Sequence, residues 1–86
     1  MVGSIINRPV VEPIFREYIA EMSDERLEKA AADRIWLCET MLHGPYDEDV
    51  WKRDFIQAEC DRRERPEIFQ RAEERIFRQI RRKESE

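Results

Sequence analysis

The chain has 86 residues, of which 42% are charged and 41% are hydrophobic, and its formal net charge is −4 at pH 7. A chain of this length forms one domain and buries only roughly 60–65% of the surface that it exposes when unfolded. Eight aromatic residues at helical spacing among the charges exclude a disordered chain and indicate a small helical core beneath a densely charged surface.

The N-terminal residues show no helical periodicity, and Pro9 and Pro13 follow each other closely. We therefore predict an extended N-terminal arm over residues 1–12 and a short helix that begins at Pro13, where the missing N–H of proline costs nothing. Polar and small residues interrupt the apolar residues of the arm, which predicts neither a signal peptide nor a membrane-spanning segment. We expect a cytoplasmic protein that does not enter a membrane.

Three further helices are predicted after this segment, each with a recognisable start or stop. Ser23 is the expected N-cap of the second helix, and Gly44 followed by Pro45 ends that helix. Asp47 is the expected cap of the third helix, and Pro66 opens the fourth. We assign residues 13–83 to a single helical domain and residues 84–86 to a frayed tail.

Acidic residues stand four positions before basic residues along the last two predicted helices, a spacing that stabilises helices. The five pairs are Glu48 with Lys52, Asp49 with Arg53, Glu59 with Arg63, Glu67 with Arg71, and Glu74 with Arg78. Together with the breaks, these pairs predict an all-α fold, a small three- or four-helix orthogonal bundle with an extended N-terminal arm.

Apolar residues outside a single core stripe mark the second and third helices. Trp36 lies on the polar face of the second helix, and Ile56 and Cys60 point roughly 150° away from the main stripe of the third. Either the arm or first helix covers Trp36, or this tryptophan anchors a binding partner. The candidate protein-binding residues are Trp36, Asp33, Lys29, Ile56 and Cys60.

Broad apolar faces and an uneven charge distribution also favour self-association. The predicted fourth helix is apolar over nearly 180°, which is more than one neighbouring helix covers. Residues 1–49 carry a net charge of −6, from five basic and eleven acidic residues, whereas residues 50–86 carry +2, from eleven and nine. A second copy completes such a core most commonly as a two-fold dimer, so we predict a homodimer.

Residues equipped for catalysis are scarce. The chain has one histidine, two cysteines and two glycines, so it lacks a glycine-rich phosphate loop and paired-cysteine zinc spacing. No serine or cysteine has a nearby base in the sequence that would activate it as a nucleophile. We therefore expect no enzymatic activity, no cofactor and no metal site.

Nucleic-acid binding is the alternative function that the charge pattern allows. The last helix is rich in arginine and follows a short turn, which resembles a helix-turn-helix arrangement. The candidate nucleic-acid-binding residues are Arg71, Arg75, Arg78 and Arg82. Glutamates alternate with these arginines, and the isoelectric point is near 5.1, so this alternative is disfavoured.

A protein-binding module is the function that the sequence favours, in the form of an adaptor, an assembly factor or an inhibitor of a larger complex. The acidic residues of the second helix also suggest mimicry of nucleic acid, because their carboxylates could stand where phosphates would lie. These residues are Asp24, Glu25, Glu28 and Asp33. Phage-encoded inhibitors of host defence are one setting in which such a surface would be useful.

Overall fold

The computed structural model describes residues 8–85, and this part of the chain forms four α-helices with no strand. Their bounds are α1 Arg8–Ala20, α2 Asp24–Thr40, α3 Asp47–Arg62 and α4 Pro66–Ser85. The predicted all-α bundle is therefore confirmed, in its four-helix form.

Helix α1 begins at Arg8, five residues earlier than predicted, so the part of the predicted arm over residues 8–12 is helical. Pro9 lies in the first turn, where N–H groups have no acceptor within the helix, and only Pro13 removes a hydrogen bond. Residues 1–7, the rest of the predicted arm, lie outside the described residues. At the other end, α4 continues to Ser85 and extends into the predicted frayed tail.

The predicted N-cap at Ser23 and the start of α4 at Pro66 agree with the structure, whereas α2 ends at Thr40 and Gly44 lies in the turn that follows. The backbone N–H of Arg26 donates to the Ser23 hydroxyl at 3.2 Å, which caps α2. Gly44 has a φ of 90°, a left-handed conformation that glycine adopts without strain. The cap of α3 differs from the prediction, because Tyr46 occupies this position without a side-chain hydrogen bond and Asp47 is already helical.

Helix α3 lies at the centre of the packing, since it contacts α1, α2 and α4. Helix α2 packs most extensively against α4 and also runs against α3, whereas α1 packs mainly against α3. An aromatic cluster joins α1 to α3, in which Trp51 lies 5.6 Å from Phe15 and 5.2 Å from Phe55 between ring centroids. The fully buried centre of the core consists of Ile19, Leu27, Ile56, Cys60 and Ile68.

Arg63, at the end of α3, ties three helices together. Its guanidinium donates to carbonyl oxygens at the end of α1 and in the turn that follows, and to two carboxylates. The partners, at 2.7 to 3.3 Å, are the carbonyls of Ile19, Ala20 and Met22 and the side chains of Asp24 and Glu59. Since this side chain is only 15% exposed, these charge-assisted hydrogen bonds are shielded from water.

Glu59 should make stability depend on pH in the acidic range. Hydrogen bonding from Arg62 lowers the pKa of this buried carboxyl, burial acts in the opposite direction, and hydrogen bonding from Arg63 lowers the pKa further. A carboxyl whose pKa is lower in the folded state stabilises the fold above its unfolded pKa, and this contribution is lost as pH falls through the folded pKa. We expect the urea midpoint to stay level from pH 7 to 5 and to fall below about pH 4.

The measurement is urea unfolding at several pH values for the natural chain and for Glu59→Gln, which removes the titration and keeps the shape. The difference in midpoint between the two proteins should be largest at pH 7 and should shrink as the pH falls below about 4. A difference that stays constant with pH would show that Glu59 is not the titrating group.

The molecule is flattened. Its principal extents are 42 × 36 × 15 Å, and its Cα radius of gyration is 14.0 Å. A compact chain of this length has a radius of gyration of about 12 Å. Among the described helices, none is both long enough and apolar enough to cross a membrane. The candidate site lies along α2, between α1 on one side and α4 on the other.

Candidate protein-binding surface

Two grooves lie along α2, one on each side of a ridge formed by its residues Asp33 and Trp36. The first, named here the α1–α2 groove, has a volume of about 520 Å³ and is mostly apolar. Its walls include Phe15, Tyr18, Met22, Ala30, Arg34 and Leu37. The second, the α2–α4 groove, has a volume of about 580 Å³, and its walls include Glu25, Glu28, Lys29, Arg75, Ile76 and Gln79.

Trp36 is half-buried at the crest of this ridge. One part of its indole packs against the core, and the Lys83 ammonium from the end of α4 lies 5.3 Å from the ring centroid. A cation at this distance is attracted to the face of the ring. Helix α1 forms the opposite wall of the α1–α2 groove and does not bury the ring. Within residues 8–85, Trp36 is therefore partly covered by α4 and stays accessible from both grooves.

Lys29 and Asp33 lie beside Trp36, as predicted, because residues 29, 33 and 36 follow each other at intervals of four and three on one face of α2. Both charged side chains are exposed and line the α2–α4 groove. The structure therefore brings together three of the five predicted protein-binding residues.

Ile56 and Cys60 do not belong to this surface, and their prediction as partner-binding residues is wrong for the folded chain. Ile56 is 1% exposed and Cys60 is 0% exposed, so no partner can reach them. The physical reason is the central position of α3, which packs against three helices and buries apolar residues on two sides. A second apolar stripe on this helix therefore indicates a second neighbour within the fold.

Chemistry at the two cysteines is disfavoured by burial. Burial raises the pKa of the Cys60 thiol to about 11 and is also the largest cause of the raised pKa of the Cys38 thiol. Since the thiolate is the reactive form, both groups are protonated and inert at neutral pH. Among residues 8–85, no group of three or more His, Cys, Asp or Glu side chains is placed to hold a metal ion.

The four arginines of the nucleic-acid alternative follow each other along α4, and all are exposed. Arg71 is engaged within the fold, because its guanidinium pairs with Glu28 of α2 at 2.9 Å. Arg75 lines the α2–α4 groove, and Arg78 lies with Glu73 and Glu74 in a shallower depression. Carboxylates thus accompany this row of arginines in space as well as in sequence.

The acidic row of α2 is also partly neutralised within the fold. Asp24 pairs with Arg63 at 2.9 Å and with Arg65 at 3.2 Å. Glu28 pairs with Arg71, so two of the four carboxylates proposed to imitate phosphates already bind arginines of the same chain. This arrangement weakens the resemblance of α2 to a nucleic-acid backbone.

Arg34 was not among the predicted binding residues, although it lies in the middle of the apolar arc of α2. One of its amino groups donates to buried Asp49 at 2.5 Å, and 27% of its side chain is exposed at the α1–α2 groove. The groove thus contains a guanidinium that is held in place by an ion pair, among apolar side chains and beside exposed Asp33.

No protein-family model, curated protein or solved structure matches this chain.

Proposed function

We propose that this chain is a non-enzymatic cytoplasmic protein-binding module that holds a segment of another protein in the α2–α4 groove, against Trp36. The observation that carries the proposal is a tryptophan at the crest between two grooves, partly exposed and flanked by exposed charges. Tryptophan offers a large apolar area with an N–H donor, and it is enriched among residues that dominate the energy of interfaces. The two free, buried thiols are consistent with a reducing compartment.

The lining of the α2–α4 groove indicates the kind of segment that fits. Ala32 and Ile76, which are 4% and 5% exposed, give the groove a narrow apolar floor. Charged groups of both signs stand on its rims, with Asp33 on the α2 side and Arg75 on the α4 side. An amphipathic helix fits this arrangement, because its apolar stripe covers the floor while basic and acidic flanks face opposite rims. An adaptor, an assembly factor and an inhibitor would all use such a groove.

Protein recognition is favoured over imitation of nucleic acid because Asp24 and Glu28 are already paired with arginines. The row of exposed arginines along α4 keeps direct nucleic-acid binding as the second candidate. Glu73 and Glu74 would approach phosphates together with Arg78, which opposes this candidate. The two candidates share Arg75, which lines the α2–α4 groove, whereas Glu74 and Arg78 do not line that groove, so an exchange at positions 74 and 78 separates them.

The test is affinity capture from a lysate of the source organism, with and without nuclease treatment. The informative variant exchanges the two rim charges, Lys29→Glu with Asp33→Lys, which keeps the net charge constant. We expect this variant to weaken retention of the bound protein about 10-fold or more. The reason is that position 33 then carries a positive charge, as Arg75 does on the opposite rim of the groove. The matched control exchanges Glu74→Arg with Arg78→Glu on the outer side of α4 and should retain the partner.

Trp36→Ala provides the second variant of the same test. Because Trp36 is only half-buried, we expect it to lower the free energy of unfolding by about 1–2 kcal/mol and to leave the chain folded. Binding of the captured protein should be lost. Capture that survives both groove variants, or that disappears with nuclease and with the α4 control exchange, would contradict the proposal and favour nucleic-acid binding.

A further inference from the structure

An apolar stripe runs along the outside of α1. Val10, Ile14 and Tyr18 follow each other at intervals of four residues and therefore form one line on the helix. They are 54%, 61% and 55% exposed, respectively. On the adjacent side of the same helix, Phe15 and Ile19 pack into the core. Helix α1 is thus apolar over more of its circumference than the fold covers.

The stripe borders the α1–α2 groove, and Tyr18 belongs to both. This groove exists because α1 packs mainly against α3 and stands apart from α2. One face of the molecule therefore presents an apolar helical ridge beside an apolar groove. A ridge and a groove side by side are self-complementary, which is the requirement for an interface between two identical copies about a two-fold axis.

Charge complementarity also supports a second copy of the chain as the partner of this face. Glu17 lies three residues after Ile14, on the flank of the stripe, and is exposed. Arg34 lies in the groove with one amino group bonded to Asp49 and with part of its side chain exposed. A second copy that places its stripe in the groove brings a carboxylate towards a fixed guanidinium, and the two-fold axis repeats this pairing.

We propose that a second copy of this chain covers this face, with α1 of each copy lying antiparallel to α1 of the other and filling the other's α1–α2 groove. The flat shape of the monomer agrees with a core that a second layer completes. The interface lies on the opposite side of the Asp33–Trp36 ridge from the α2–α4 groove, so the two sites share only the residues of this ridge, and Lys29 lines the α2–α4 groove alone. We expect a weak dimer whose interface lies at the small end of the stable class, about 1,200 Å² in total.

The test is sedimentation equilibrium of the full chain over about 5 to 200 µM, where the mass should rise from 10.5 kDa towards twice that value. Ile14→Glu places a charge in the middle of the stripe and should weaken the dimer about 20-fold or more without unfolding the chain. Ile14→Leu should retain it. Phe77→Glu is the matched control, because it changes an exposed apolar side chain of α4 outside the proposed interface.

Glu17→Lys should weaken the dimer about 5-fold at low salt, and the difference should shrink at about 0.5 M salt, where ionic strength screens the pairing with Arg34. A monomer at the highest concentration would overturn the proposal, as would a dimer that survives Ile14→Glu. If the chain is a monomer and its Ile14→Glu variant loses the captured foreign protein, the α1–α2 groove binds that protein. This outcome would also overturn the proposal of a dimer. Failure of the dimer leaves the effect of the Lys29 and Asp33 exchange unchanged, so the two proposals fail separately.

Discussion

Replacing Arg63 with alanine is expected to lower the free energy of unfolding by about 3–5 kcal/mol. We expect this to be the largest effect of removing a charged side chain from this chain. The substitution removes a donor from three carbonyls at the end of α1 and in the turn after it, and from the carboxylate of Asp24, which keeps Arg65 as a partner. It also removes one of the arginines that hold buried Glu59. A domain of this size has a total stability of roughly 4–13 kcal/mol, so this loss is a large fraction of the total.

Chemical unfolding by urea, followed by circular dichroism, measures this loss. Arg62→Ala is the matched control, because Arg62 binds the same carboxylate of Glu59 from an exposed position and should shift the midpoint much less. Arg63→Lys should fall between the two, since one ammonium group cannot reproduce a planar fork that serves α1, Asp24 and Glu59 together. Equal effects of Arg62→Ala and Arg63→Ala would contradict the role of Arg63 as the tie between helices.

Ile56→Ala is expected to lower the free energy of unfolding by about 3 kcal/mol, because it removes methyl groups from a side chain that is 1% exposed and leaves a cavity. The same substitution at Ile14, which is 61% exposed, should change stability by less than about 0.5 kcal/mol when measured below micromolar concentration. Ile56 and Ile14 are both isoleucines within helices. Their contrast separates a residue of the core from a residue of an open surface.

Thermal or urea unfolding of both variants provides the measurement, and affinity capture of the folded fraction provides the second readout. Ile56→Ala should retain the captured protein wherever it is folded, because its side chain does not reach the surface. A variant that keeps full stability and loses the partner would restore Ile56 to the binding surface.

The parts of the fold that depend on local backbone chemistry were predictable from the sequence. The cap at Ser23, the left-handed Gly44 and the helix start at Pro66 all follow from preferences of single residues, and each is present. Helix α1 was predicted to start too late because proline was interpreted as a boundary. Proline is compatible with the first turn of a helix, so the sequence allowed an earlier start that its lack of periodicity concealed.

Contacts between distant segments could not be predicted in the same way. Asp49 was expected to pair with Arg53, four residues away, but it binds Arg34 of α2. Arg71 likewise binds Glu28 instead of Glu67. Local spacing describes a helix in isolation, whereas the packing of α2 against α3 and α4 offers less exposed partners for the same side chains.

The candidate site also combines residues whose proximity was predictable from the sequence with residues whose proximity was not. Lys29, Asp33 and Trp36 share one face of one helix, so their proximity was predictable from spacing alone. Arg75 and Ile76, which form the opposite wall, belong to α4, and only the tertiary fold brings them to the groove. The two stripes of α3 fit either a helix that is central in the fold or one that is shared with a partner, and the packing of α3 against three helices explains them.

Site-specific photo-crosslinking tests most directly whether the α2–α4 groove binds another protein. A benzophenone side chain replaces Gln79, which lines this groove, in the full chain expressed in the source organism. We expect a covalent adduct with a foreign protein from position 79 and none from position 74, on the outer side of α4. An adduct from position 74 with none from position 79 would contradict the protein-binding role that we assign to the groove.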